Sequence, residues 1–350
     1  MSEPVDFESR LIGLPAPPPV GRSALPVGTF MGATVLVTGG GTGLGKAIAA
    51  EFTRLGANIV VASRKREHLD AAVADLGSIA AQVSVANGVV GEAVAGPART
   101  PPIARLSDRG EVGSGTPTGP AGNQSPGNRS PGVLAVECDI RDSDQVATVF
   151  DAAEQRFGTV DVLVNNAAAN FPVPAEEMSP NAWRTVVDIT LNGTFLMSRE
   201  FARRHIAARV PGSIINVGAS YAWTGGPGFA HSAAAKAGIK NMTETLAVEW
   251  GPYGIQVNGL VPGLMPHEDM TSDIQTNLQR THDKDICQPA LRVGQRQELG
   301  WAATFLASPY ARFISGHTLV VDGANWQRRT LTNPPVVTVR EQMNLGPFAP

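Results

Sequence analysis

Eight residues, Thr38 to Gly45, read TGGGTGLG, and they stand between an apolar run, Ala33 to Val37, and a helix-like segment, Lys46 to Leu55, that Gly56 is placed to end. Strand, glycine turn and helix in that order form the context in which such a loop holds phosphate. A Cβ would block the backbone's approach to a diphosphate, and the free N–H groups and dipole of the helix start favour its charge. Gly39, Gly43 and Gly45, with Leu44 beside them, are the expected contacts. A second apolar run, Asn58 to Ala62, ends in Ser63-Arg64-Lys65. A carboxylate at that point would take the ribose hydroxyls of NAD. Two cations suit a 2′-phosphate instead, Arg64 through its planar fork and Lys65 as a point charge. The cofactor implied is NADP(H).

Further polar residues follow later apolar runs. Val160 to Val164 leads into Asn165-Asn166-Ala167-Ala168 and on to Asn170 and Phe171, and Ser213 to Val217 leads into Gly218-Ala219-Ser220-Tyr221. Beyond them stands Ser232-Ala233-Ala234-Ala235-Lys236. The remaining apolar runs are Val133 to Val136, Ile255 to Leu260 and Thr318 to Val321, with helical patterns between most of them. Strands apolar throughout that alternate with helices predict an α/β fold. Its form is a single Rossmann-type, doubly wound parallel sheet with helices on both faces and ligands at the carboxyl ends of the strands.

The chain has 350 residues, 43% of them hydrophobic, enough to fill the core of one large domain. That domain is expected over 30–325, after a proline-rich extension over 1–29 and before a C-terminal extension over 326–350. One stretch interrupts it: Ala86 to Gly132 holds ten Gly and seven Pro among 47 residues and no aromatic. That share exceeds the about 25–30% that marks low-complexity sequence, so a disordered insertion is expected, looping out at little closure cost. A net charge of −3 gives no electrostatic footprint for nucleic acid. Cys138 and Cys287 have neither disulfide-framework nor metal-ligand spacing, which fits a reducing cytoplasm without a bound metal. Glu3, Asp6, Glu8 and the prolines from Pro15 to Pro19 resemble neither a secretory signal nor a basic transit peptide, and no apolar run reaches membrane-spanning length. A cytoplasmic location without membrane insertion is expected.

Together, TGGGTGLG, the Asn165 to Ala168 segment and SAAAK resemble the short-chain dehydrogenase/reductase family. That family's usual site is a Ser, a Tyr and a Lys four residues after the Tyr. Here Ser232 stands at the tyrosine position and Ala219 at the serine position, so the common carbonyl-reduction site is absent. Tyr221, fifteen residues before Lys236 and just past a strand, offers a hydroxyl from another direction. The arrangement is similar to that of mitochondrial-type 2,4-dienoyl-CoA reductases, which combine an upstream Tyr with an Asn, a Ser and the Lys. The likeness extends through NNAAANF (Asn165 to Phe171), SPNAW (Ser179 to Trp183), DITLNGT (Asp188 to Thr194), SAAAKAG (Ser232 to Gly238) and AVEWGPYG (Ala247 to Gly254).

The resemblance implies that Tyr221 and Asn170 bond the thioester oxygen of an acyl-CoA substrate and stabilise a dienolate, that Lys236 holds the nicotinamide ribose and adds positive charge, and that Ser232 positions the network. A conjugated thioester reduced at its far end gathers negative charge on that oxygen, so donors aimed there are what the reaction needs. By the same resemblance Asp139 contacts the adenine and Asn166, Ala167, Pro262 and Gly263 contact the cofactor. Arg141, Phe171 and Ser179 contact the substrate, and the chain forms a homo-oligomer, a tetramer. His231 is read as structural. The loop after Gly263 departs from those reductases: it reads Leu264-Met265-Pro266-His267-Glu268-Asp269, acids where they carry bases. Two other readings stay open: a short-chain oxidoreductase of another carbonyl, enoyl or alcohol substrate with Tyr221 as proton donor, and a catalytically silent dinucleotide-binding protein.

Overall fold

Val35 and Val37 point to one face of the first strand and Leu36 to the other, and all three are fully buried. That alternation, repeated along the sheet, is why the strands read as unbroken apolar runs. The computed structural model describes residues 13–87, 131–268, 270, 288–327 and 338–345. Among the described residues seven strands, β1 (Thr34–Thr38), β2 (Asn58–Ser63), β3 (Val133–Glu137), β4 (Val162–Asn165), β5 (Gly212–Val217), β6 (Ile255–Pro262) and β7 (Thr318–Val321), lie in the order β3-β2-β1-β4-β5-β6-β7. Every neighbouring pair is parallel, as expected. The helices are α1 (Gly43–Arg54), α2 (Arg66–Asn87), α3 (Ser143–Phe157), α4 (Pro180–Val187), α5 (Gly193–Ala208), α6 (Tyr221–Thr224), α7 (Ala230–Trp250), α8 (Arg296–Ala307) and α9 (Val339–Gln342).

Helices α1, α2 and α8 cover one face, packing Phe52, Leu76 and Leu306 on Val37, Ile59 and Ile215. Helices α3, α5 and α7 cover the other, packing Phe150, Phe201 and Leu246 on Leu36, Val60 and Ile214. Each such side chain contributes about 1.5–3 kcal/mol by leaving water, so the two layers hold the strand ends rigid. The order of the strands turns back between β1 and β4, which opens a crevice at their carboxyl ends.

Several boundaries differ from expectation by one to three residues, those of β1, β4 and the insertion among them. Strands β1 and β4 begin one and two residues later, because the Thr34 N–H donates to the Asp161 carboxylate at 2.8 Å and the ladder starts at Val35 opposite Val162. They then run on through Thr38 and Asn165, carrying both polar residues into the crevice. The expected insertion is narrower at its ends: Ala86 and Asn87 close α2, and the Gly132 N–H donates to Asn58 Oδ1 at 3.0 Å while its carbonyl accepts from Ile59 at the sheet edge. Its body, over 88–130, lies outside the described residues, as do Cys287, residues 1–12 and most of 328–350.

The described residues before 30 and after 325 touch the rest of the fold. The Leu14 N–H donates to Ala290 O at 2.9 Å, and the Trp301 indole on α8 donates to Arg22 O at 2.8 Å. Trp326 stacks on Trp223 of α6, with ring centroids 5.1 Å apart. Arg340 of α9 pairs with Glu177. Among the described residues no helix is long and apolar enough to cross a membrane.

Candidate active site

The glycine loop folds as a cradle. Gly39 has φ +63°, a left-handed conformation, and its N–H donates to Ala62 O at 2.8 Å, which ties the end of β1 to the end of β2. Gly43 and Gly45 lie in the first turn of α1, with Leu44 between them packed on the core. A Cβ on Gly45 would stand 2.3 Å from Gly39 O and 2.4 Å from Asn166 Nδ2. Asn166 spans the crevice: its amide donates to Thr38 O and Gly39 O, both at 3.1 Å, and the N–H groups of Asn166 and Ala167 both reach Thr38 Oγ1 at 3.0 Å. Thr42 makes no side-chain cap on α1, and no acid stands in the helix's first turn. By contrast Asp142 caps α3 and Ser179 caps α4. A helix start that its own N-cap residue leaves without a side-chain bond, behind three consecutive glycines, suits a dinucleotide's diphosphate.

Ser63, Arg64 and Lys65 leave β2 beside this cradle, with both cations exposed. Asp139 faces them from the end of β3. The Arg141 guanidinium, at 2.5 to 3.1 Å, is the main cause that holds its carboxyl below the usual range, and Arg64 lowers it further. Arg141, expected to contact substrate, is therefore already engaged bidentately by the expected adenine contact.

On the other side of the crevice the donors converge. Ser232 lies on the first turn of α7, and its Oγ is 3.0 Å from Tyr221 Oη. Asn170 Nδ2 makes a long contact, 3.5 Å, with the same Oη. Burial raises the Tyr221 pKa and the Ser232 hydrogen bond only partly offsets this, so the phenol keeps its proton at neutral pH. Residues far apart in sequence make this meeting possible. Thr190, in a π turn over Asp188–Asn192, accepts the Ala169 N–H at 3.2 Å, and the Val173 N–H donates to Gly228 O at 2.9 Å. These bonds bring the Asn170 loop onto the Tyr221 loop. No motif in the sequence signals either one.

Lys236 is one helical turn beyond Ser232, and its buried ammonium donates to Val217 O at 2.5 Å. Desolvation lowers its pKa to about 8. From there up to the ordinary lysine range the unfolded chain holds a proton that the folded chain has released, so in that window stability rises with pH. The free energy of unfolding of the cofactor-free protein, minus that of Lys236→Met, should accordingly grow by on the order of 3 kcal/mol between pH 7 and 10.5. Urea titrations that give a constant difference would show the ammonium to be solvated.

The remaining expected residues fall around this centre. Phe171 is exposed over about a third of its surface and meets His231 edge to face at 4.7 Å. His231 is buried, accepts the Ser232 N–H on Nδ1 at 2.7 Å and is kept neutral by desolvation, in keeping with a structural role. Pro262 ends β6, and the Gly263 N–H donates to Val321 O at 2.9 Å. Ser179 spends its hydroxyl on the Ala182 N–H at 3.1 Å, so it serves α4 first. Behind the site Asn165 donates to Ser198 and Asn216, both at 2.9 Å, and Asn216 donates to Thr243 at 3.0 Å, which locks β4, β5 and α7 together. Among the described residues no cluster of His, Cys, Asp or Glu could hold a metal ion.

A family model described as short chain dehydrogenase matches residues 33–94, and one described as Enoyl-(Acyl carrier protein) reductase matches residues 123–324. The chain is 32% identical over 296 residues to a probable 2,4-dienoyl-CoA reductase, (2E)-enoyl-CoA-producing, of Bacillus subtilis (strain 168), covering 83% of this chain and 96% of that one. The chain belongs to the short-chain dehydrogenase/reductase family. A probable (3E)-enoyl-CoA-producing 2,4-dienoyl-CoA reductase of Caenorhabditis elegans is 33% identical over 85% of this chain and 81% of its own. A peroxisomal one of Arabidopsis thaliana is 31% identical over 84% of this chain and 85% of its own. A solved short chain dehydrogenase from Bacillus anthracis shares the fold at TM-score 0.63 and 33% identity, covering 84% of this chain and 96% of that one.

As a short-chain dehydrogenase/reductase the protein is an oxidoreductase that uses a nicotinamide dinucleotide. It departs from the family's usual site at two positions, Ala219 and Ser232. The Tyr221 hydroxyl reaches Ser232 instead.

Proposed function

We propose that the protein is an NADPH-dependent reductase of 2,4-dienoyl-CoA thioesters in fatty acid β-oxidation. The observation that carries this reading is the approach of Asn170 Nδ2 and Ser232 Oγ to the single hydroxyl of Tyr221, with Lys236 one turn away and no Ser–Tyr pair in the usual place. The cradle of Gly39, Gly43, Leu44 and Gly45 holds the diphosphate, with Asn166, Ala167, Pro262 and Gly263 around it. Asp139 faces the adenine, Ser63 flanks it, and Arg64 and Lys65 take the 2′-phosphate. The chemistry that bound NADPH supplies is a hydride. Tyr221 and Asn170 donate to the thioester oxygen where charge gathers, Ser232 orients the phenol, and Lys236 holds the ribose and adds a positive field. A proton from solvent completes a 3-enoyl-CoA. The exposed face of Phe171 suits the acyl chain, Ser179 is assigned to the substrate with it, and Arg141 suits the CoA nucleotide.

NADPH oxidation followed side by side with 2,4-dienoyl-CoA, 2-enoyl-CoA and 3-ketoacyl-CoA tests the reading, with the dienoyl thioester expected to turn over fastest. A faster enoyl or keto substrate favours the second reading, a short-chain oxidoreductase in which Tyr221 gives up its proton. The protonated state of that phenol supports it. Turnover of none, with NADPH bound, would leave a silent dinucleotide-binding protein.

Arg64→Ala should weaken NADPH about tenfold and NADH little, since a charge-assisted contact to the extra phosphate is lost. Equal losses in a fluorescence titration would place the 2′-phosphate elsewhere. A homo-oligomer, a tetramer, belongs to the same proposal, because Tyr310 and Phe313, exposed just past α8, give a second copy an apolar surface to cover. So does a cytoplasmic location.

A further inference from the structure

The uncapped start of α1 is not left bare. Glu268, 225 residues away in sequence, accepts the Gly43 N–H on Oε1 at 3.2 Å. The same oxygen is 3.7 Å from Lys46 Nζ, and Oε2 takes a 2.5 Å hydrogen bond from Arg296. Partial burial raises the carboxyl's pKa, but backbone N–H groups, Gly43's among them, and the charges of Arg296 and Lys46 outweigh it and hold the group ionised below the usual range. A carboxylate thus sits on one of the N–H groups that the cradle offers to a diphosphate.

We infer that Glu268 is an internal anion that competes with the dinucleotide's diphosphate for the N-terminus of α1. The inference rests on the dinucleotide reading of the cradle. Two anions on one N–H repel, so the carboxylate must leave before the diphosphate seats. Cofactor affinity is then reduced by the fraction of molecules in which Glu268 is docked. The side chain is 44% exposed and its ion pairs are solvated, so the contact is weak enough to be displaced.

The test is calorimetric titration of the full chain and of Glu268→Gln with NADPH, with NADH and with adenosine 2′-monophosphate, which lacks the diphosphate. Glu268→Gln should bind both dinucleotides about fivefold tighter and the monophosphate unchanged, the scale of one charge removed from a helix start. Equal dinucleotide affinities in the two proteins, weaker binding in the variant, or a gain shared by the monophosphate would each overturn the competition while leaving the cradle's assignment intact. Failure of both proteins to bind either dinucleotide would instead overturn that assignment, and the competition with it.

Discussion

Tyr221→Phe should lower kcat with 2,4-dienoyl-CoA by about 10²–10³, with kcat/KM falling in parallel, because the hydroxyl acts on charge that exists only in the transition state. Everything else about the residue survives the change. The ring still lies parallel to Phe229 at 6.3 Å, and its backbone carbonyl still accepts the Gly225 N–H, so the loop keeps its course. What disappears is the one atom that Asn170 and Ser232 share. Ser232 is buried, and the loss of its partner should cost about 1 kcal/mol of stability, too little to unfold a domain of this size. NADPH affinity should not change, since none of the cradle's bonds involves Tyr221. The pair should also be non-additive: once Tyr221 is Phe, Asn170→Ala should add little, because each donor depends on the other to fix the oxygen. Steady-state kinetics on the four proteins of that cycle decide the matter. Full activity in Tyr221→Phe would remove the phenol from the mechanism and leave the substrate assignment without its main support.

How much of this could be read from the sequence follows from the range of the interactions involved. The sheet was legible because its strands are buried on both faces, so Val35, Leu36 and Val37 need no polar alternation to betray them. The cradle was legible because strand, glycines and helix are consecutive. Tyr221 stands out by its place just past a strand end and Lys236 by its register in SAAAKAG, and in the structure the Tyr221 hydroxyl meets Ser232 while Lys236 follows one turn later on the same helix. Ser179, named from resemblance alone, also accepts the Ala182 N–H as the cap of α4, a local bond that Ser followed by Pro favours. What stayed hidden were bonds between residues that only chain reversal brings together: Thr190 with Ala169, Val173 with Gly228, and Glu268 with Gly43. In the sequence Glu268 is one more acid in a loop. Only the fold shows that its charge faces the helix start where a phosphate is expected.

The cradle itself is open to a test in which one chemical change has opposite signs at two sites. Gly45→Ala and Gly77→Ala both place a methyl in a helix, where alanine is favoured over glycine by roughly 0.5–1 kcal/mol. Around Gly77, in α2, nothing lies within 4 Å of the added carbon, so that gain should appear in full as higher stability with unchanged cofactor binding. At Gly45 the new carbon meets the Gly39 carbonyl oxygen at 2.3 Å and the Asn166 amide at 2.4 Å. Neither contact can rotate away cheaply. The oxygen is backbone in a residue already at positive φ, and the amide is held by two bonds to the same loop. Relief requires that α1 and the loop separate, at the 1–3 kcal/mol or more typical of overpacking, so strain outweighs propensity. The shift also moves Gly39 and Asn166 together, and with them the surface that takes the diphosphate. Dinucleotide affinity should therefore fall by at least about tenfold along with stability. Thermal melts and NADPH titrations of the two variants separate the cases. If Gly45→Ala were as stable and as competent to bind as Gly77→Ala, the loop would be a turn with room to spare, and the cofactor would have to bind somewhere else.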